Sequence, residues 1–176
     1  MRLTVNKRDT LKAFRHLDAL LAAVSQQAFV AAKQAGDDYV NLVKTGIGAS
    51  SKPSFISQEW EPLSESWKHQ KVAYKEKFWA ETLGIYKATQ VDIINKTLLF
   101  INIFAGIKAS TDYNAFRRAR TTEYGYLPQN NPGRLLFEPA KDHLAPVTAA
   151  GRKLTPKQRK YFVQALRIAV KKAFRT

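Results

Sequence analysis

The feature that most constrains this chain is an apolar repeat near its start. Leu11, Phe14, Leu17, Leu21, Val24, Ala28, Ala31 and Ala35 follow one another at three- and four-residue steps. A helical period places all eight on one stripe, so a long helix is expected over about 9–44. Asp9 or Thr10 can open it, because both side chains accept from the free amides of a first turn. Gly36 is the expected break or bend, with the helix resuming over 38–44. The many alanines predict close packing against a neighbouring element. Thr45 to Ser54, reading TGIGASSKPS, carries loop chemistry and predicts a flexible linker over about 45–57.

The body, about 60–176, reads as mixed. Ser64 is a plausible cap for a helix within Trp60–Glu81, where Leu63, Trp67, Tyr74 and Phe78 share a core-facing side. Trp60 and Trp79 either pack inward or anchor an interface. From Gly84 the period changes. Tyr86–Ile94 and Thr97–Ile107 read as strands around an Asn95-Lys96 turn, a hairpin over about 86–107. Two strands alone are not stable, so helices, further strands or another subunit must cover them. Asp112–Arg120 predicts a short helix, and Gly125 can supply the positive φ that closes it. A loop with Pro128, Asn130, Asn131, Pro132 and Gly133 follows. It leads to Arg134, the apolar run Leu135-Leu136-Phe137, and Glu138-Pro139, which open another turn or two ending near Leu144. Gly151–Leu154 is a basic connector. The last helix has Thr155 as cap, Pro156 at its first position and Gln158 completing a capping box. Its predicted core stripe is Phe162, Leu166, Ala169 and Ala173, broadened by Val163, Val170 and Phe174. The expected fold class is α+β in a single domain of 176 residues: a long N-terminal helix, a small antiparallel sheet packed by helices, and a basic C-terminal helix.

The net charge is +15, with a sequence pI near 10.1. Such a balance favours nucleic acid, an anionic surface or an acidic protein. It is uneven, because no acidic residue follows Asp142. Arg159, Lys160, Arg167, Lys171 and Lys172 make the last helix one basic patch, and Arg117, Arg118 and Arg120 make another. The absence of cysteine excludes disulfides and thiolate metal sites. The opening residues lack a signal-peptide core, and the apolar run 98–107 is too short for a bilayer, which takes about 20 residues. A soluble protein folded in the cytosol, with no membrane partner, is the expectation.

Catalytic chemistry finds little purchase. His16, His69 and His143 stand without spaced metal-ligand partners. No phosphate-binding glycine loop or nucleophile elbow is present, and Gly46-Ile47-Gly48 reads as linker. Glu59, Glu61 and Glu65 flank a helix start, where negative charge complements the dipole. No enzyme, cofactor or metal is expected. No sequence-reading nucleic-acid motif appears either, so any DNA contact is expected to be non-specific and salt-dependent.

The order of short motifs carries a resemblance. Trp60-Glu61-Pro62-Leu63-Ser64, with Lys68 or Lys71 downstream, resembles the W-x-P-L-S segment of Mu-type phage virion-morphogenesis proteins. Glu81-Thr82-Leu83-Gly84-Ile85 is loosely similar to that family's Leu-Thr-Gly-x-Leu element. Glu123-Tyr124-Gly125 resembles its E-F-G or H-x-G element. Arg134-Leu135-Leu136-Phe137-Glu138-Pro139 is similar to R-P-F-L-x-P, with Leu135 in place of the proline. The resemblance covers about 10–175. It implies a structural neck protein acting as a ring of identical subunits between head and tail. The implied partners are the ring's own copies, portal or adaptor (head-completion) proteins and the tail terminator or tail tube, with possible non-specific contact with packaged DNA. The implied location is the host cytoplasm during assembly and then the virion. Trp60, Pro62, Leu63, Glu123, Tyr124, Gly125, Arg134 and Phe137 are then the candidate protein contacts. For Arg134, an ion pair with a neighbouring subunit and a fastening of its own loop both remain open. For Glu123-Tyr124-Gly125, a contact and an internal turn do.

Overall fold

The computed structural model describes residues 7–70, 79, 84–96, 101–125, 133–144, 147–148 and 151–174. Within these, the chain is α+β, with a long N-terminal helix, a two-stranded antiparallel sheet and a C-terminal helix. In order, helix α1 spans Lys7–Gly48, α2 Glu65–Gln70 and α3 Gly84–Ala88. Strands β1 (Gln90–Lys96) and β2 (Ile101–Gly106) pair, and α4 (Tyr113–Tyr124) and α5 (Phe137–Leu144) follow. A short antiparallel pair, β3 (Val147–Thr148) with β4 (Gly151–Arg152), sets Val147 against Arg152 before α6 (Pro156–Ala173).

The chain divides into two compact units. Unit 1 takes residues 1–35, 93–103 and 156–176, and unit 2 takes 36–92 and 104–155. Both α1 and the β1–β2 hairpin contribute residues to each.

Several expectations are corrected. Helix α1 runs through Gly36 without a break and continues through Thr45-Gly46-Ile47-Gly48. Packing overrides the local glycine signal there. Ile47 is buried, and a Cβ on Gly46 would collide with the buried Leu136 side chain, so glycine permits the close approach. The following loop is also anchored, with Ile56 in the core and its amide donating to the Pro53 carbonyl at 3.0 Å. Tyr86–Ala88 is helical rather than strand. Thr89 closes α3, its hydroxyl and amide both donating to the Ile85 carbonyl at 2.8 and 3.1 Å. Asn95-Lys96 belongs to β1 rather than to a turn, and 97–100 lie outside the described residues. Of the aromatic stripe, Trp67 falls in α2, while Tyr74 and Phe78 lie outside the described residues.

The core of unit 2 joins Val43 and Ile47 of α1 to Ile56, Trp60, Trp79, Ile85 and Ile107, with Ala115 and Ala119 of α4, and Leu136 and Ala140 from the start of α5. Small residues on α4 allow it to lie close. Asp112 caps α4, its carboxylate accepting from the Ala115 amide at 2.9 Å, and Gly125 closes it at φ 82°. Tyr39 of α1 donates its hydroxyl to the Phe137 carbonyl at 3.3 Å. Burial pushes that phenol's pKa up, reinforced by the charges of Glu123 and Glu138, so it stays neutral.

Candidate functional site

Three of the four motif segments converge in unit 2, and residues 81–83 of the other lie outside the described residues. Helix α5 opens on Leu136-Phe137-Glu138-Pro139, which offers no Ser, Thr, Asp or Asn to cap it. The cap comes from α4. Glu123 Oε2 accepts from the amides of Leu136 and Phe137 at 2.9 and 3.1 Å, and Oε1 accepts from that of Glu138 at 3.1 Å. Pro139 has no amide hydrogen to satisfy, and Ala140 donates to the Leu136 carbonyl at 3.0 Å, the first bond of the helix. Every amide that a helix start leaves free is thus accounted for. A carboxylate at this end also meets the positive pole of the helix.

Glu123 is only 3% exposed. Burial raises its pKa, the three amides pull it down, and burial prevails. Beside it, the Arg134 amide donates to the Thr122 carbonyl at 2.8 Å. A Cβ at Gly133 would lie 2.7 Å from the Glu123 carbonyl oxygen, so only glycine lets the two strands of the loop pass so closely.

The Trp60 segment completes the junction. Trp60 Nε1 donates to the Leu135 carbonyl at 3.1 Å. Arg134, 4% exposed, donates through Nε and Nη2 to the Glu61 carbonyl at 3.2 and 2.9 Å. Burial lowers the guanidinium's pKa, with the Glu61 charge opposing. The guanidinium fork is used here on a backbone oxygen of its own chain, which ties the loop to the body.

Of the eight candidate contacts, Trp60, Leu63, Glu123 and Arg134 are therefore turned inward. Gly125 and Phe137 are half-buried, and Pro62 and Tyr124 are exposed. The tip of the loop, 126–132, lies outside the described residues. Arg117, Arg118 and Arg120 are exposed on α4, opposite its buried Ala115, Ala119 and Glu123, and Arg120 lies 6.0 Å over the Phe116 ring.

Unit 1 is built differently. Fourteen of the 29 basic residues but only two of the 14 acidic ones, Asp9 and Asp18, fall in it, so it carries +12 of the +15. The α1 stripe does not enter a core at its N-terminal end. Every residue from Leu11 to Ala19 is exposed, with Leu11, Phe14 and Leu17 near 60%, and burial begins only toward Ser25 and Ala31. Helix α6 buries Gln158, Ala165, Ala169 and Ala173. Its larger apolar residues Val163, Leu166, Val170 and Phe174, expected in the core, are exposed. So are the cations Arg159, Lys160, Arg167, Lys171 and Lys172. These exposed apolar stripes are what reading the sequence missed. The signal was available in α6, where an i, i+4, i+8 line of alanines already defines a buried face.

No family model matches the sequence, and no curated protein or solved structure matches it. Among the described residues, no helix is long and apolar enough to cross a membrane, and no cluster of three metal-ligating side chains forms.

Proposed function

We propose that this chain is a structural protein of a tailed-bacteriophage neck, forming a homo-oligomeric ring that joins the head connector to the tail. The observation that carries the reading is the bare apolar stripe Leu11, Phe14, Leu17 and Leu21 on the start of α1. Contiguous apolar surface of this kind belongs to an interface, and helical turns without tertiary support are marginal in water. A ring requires a head-to-tail contact that closes, and the α1 stripe packing on the adjacent copy is one half of such a contact. The ordered motifs set out above supply the neck assignment. Portal or adaptor proteins on one side and the tail terminator or tail tube on the other are the partners it implies.

Mass photometry of nuclease-treated protein tests this. Discrete closed oligomers, lost in a Phe14→Ser/Leu17→Ser variant, are expected. A monomer at every concentration, also in the presence of candidate adaptor proteins, removes the ring. The second reading, a basic nucleic-acid-binding protein acting in packaging or condensation, is favoured by the concentration of charge in unit 1. Tight binding of duplex DNA by a monomer, weakening steeply with salt, selects it.

A further inference from the structure

We infer that the outer face of α6 is a docking site for an acidic amphipathic helix of another protein. Two parallel stripes define it. Val163, Leu166, Val170 and Phe174 follow at three- and four-residue steps and are all exposed, Phe174 at 76%. Next to them round the helix run Lys160, Arg167 and Lys171, also exposed and also at helical steps. None of these three forms an ion pair among the described residues. An open groove lined by Pro156, Arg159, Lys160, Val163, Gln164 and Arg167 continues the face toward the helix start.

The occupant follows from the charge and from its one-sidedness. Helix α6 has no acidic residue, so two copies of this face repel. Phosphates would use the cations but leave four apolar side chains in water. A helix lying on a membrane carries cations on both flanks of its apolar sector. Here the other flank is the Ala165-Ala169-Ala173 line, already buried within the fold. An apolar stripe with cations along one edge instead matches a helix laid alongside, its apolar residues on Leu166 and Val170 and its carboxylates on Arg167 and Lys171. This goes beyond the ring reading and needs no ring.

The test uses the full chain and a labelled 20-residue helical peptide with leucines at i, i+3, i+4 and i+7 flanked by glutamates. Saturable binding is expected. It should weaken by at least about tenfold in Leu166→Ser/Val170→Ser, and similarly in Arg167→Glu/Lys171→Glu. Peptides with lysine for glutamate, or serine for leucine, should bind at least as poorly. Phe174→Ser, at the most exposed position, gives an independent reading if the double variant loses its circular-dichroism signal. An affinity that follows the charges alone, unmoved by either apolar variant, overturns the proposal. So does tighter binding of a 20-base-pair duplex or of phosphatidylserine vesicles through the same residues, which would assign the face to nucleic acid or to a membrane.

Discussion

Units 1 and 2 solve the same problem in opposite ways. Unit 2 carries 15 basic and 12 acidic residues, is nearly balanced, and buries large side chains such as Trp60, Trp79, Ile47 and Leu136. Even its polar motif residues turn inward, where Glu123, Arg134 and Trp60 stitch three separate segments together. Unit 1 carries most of the charge and buries alanines on α6 while leaving leucine, valine and phenylalanine outside. One unit is finished by its own contacts. The other leaves large apolar side chains on its surface. Residues that look alike in the sequence, such as Leu136 and Leu17, therefore have different tasks.

The largest effect should come from the core of unit 2. Leu136→Ala removes a fully buried side chain at the meeting of α1, α5 and the Trp60 segment. A loss of about 2–5 kcal/mol is expected, as for other large-to-small core changes. Urea denaturation measures it. A loss under about 1 kcal/mol would mean that unit 2 is not the tightly packed half.

Glu123 comes next. Glu123→Ala leaves three first-turn amides without an acceptor in a buried site, and about 3 kcal/mol should be lost. Its titration sharpens the point. The folded pKa is raised above the ordinary 4.5, so just above that pH the folded state binds more protons than the unfolded one. Stability from this group is complete below 4.5 and falls as pH rises through the folded value. Glu123→Gln should remove that fall. The difference in urea midpoint between wild type and Gln variant, followed upward from pH 4, reads it directly. A difference growing in favour of the wild type would show that the three amides outweigh burial.

The two units also differ in how legible they were. Local chemistry carried the helix starts: Asp112 caps α4 and Gly125 closes it, because caps act within a few residues. The α1 and α6 periods were equally plain, but periodicity reports that a face is apolar and not what covers it. Glu123 stands 13 to 15 residues from the amides it satisfies, a distance no local pattern spans. Its trace was an absence, a helix opening on Leu-Phe-Glu-Pro with no capping side chain of its own. Gly46 misled for the same reason, since tertiary contact with Leu136 outweighs its weak helix propensity.

The smallest expected effect is the most decisive for the comparison. Leu17→Ser replaces a large apolar residue in the middle of a helix, a change that in unit 2 would cost several kcal/mol. At this position the side chain is 59% exposed, and every residue from Leu11 to Ala19 is exposed with it. Little burial is lost, and serine costs only tenths of a kcal/mol in helix propensity. The urea midpoint of the monomer should therefore move by no more than about 0.5 kcal/mol equivalent, the range of ordinary surface changes. On the proposed ring contact, self-association should by contrast weaken, because this side chain would pack on the adjacent copy. A monomer destabilised as much as by Leu136→Ala would show that the start of α1 is covered by its own chain, and the contrast between the units would collapse. An unchanged monomer that also associates as before would keep the contrast but release this stripe from the ring.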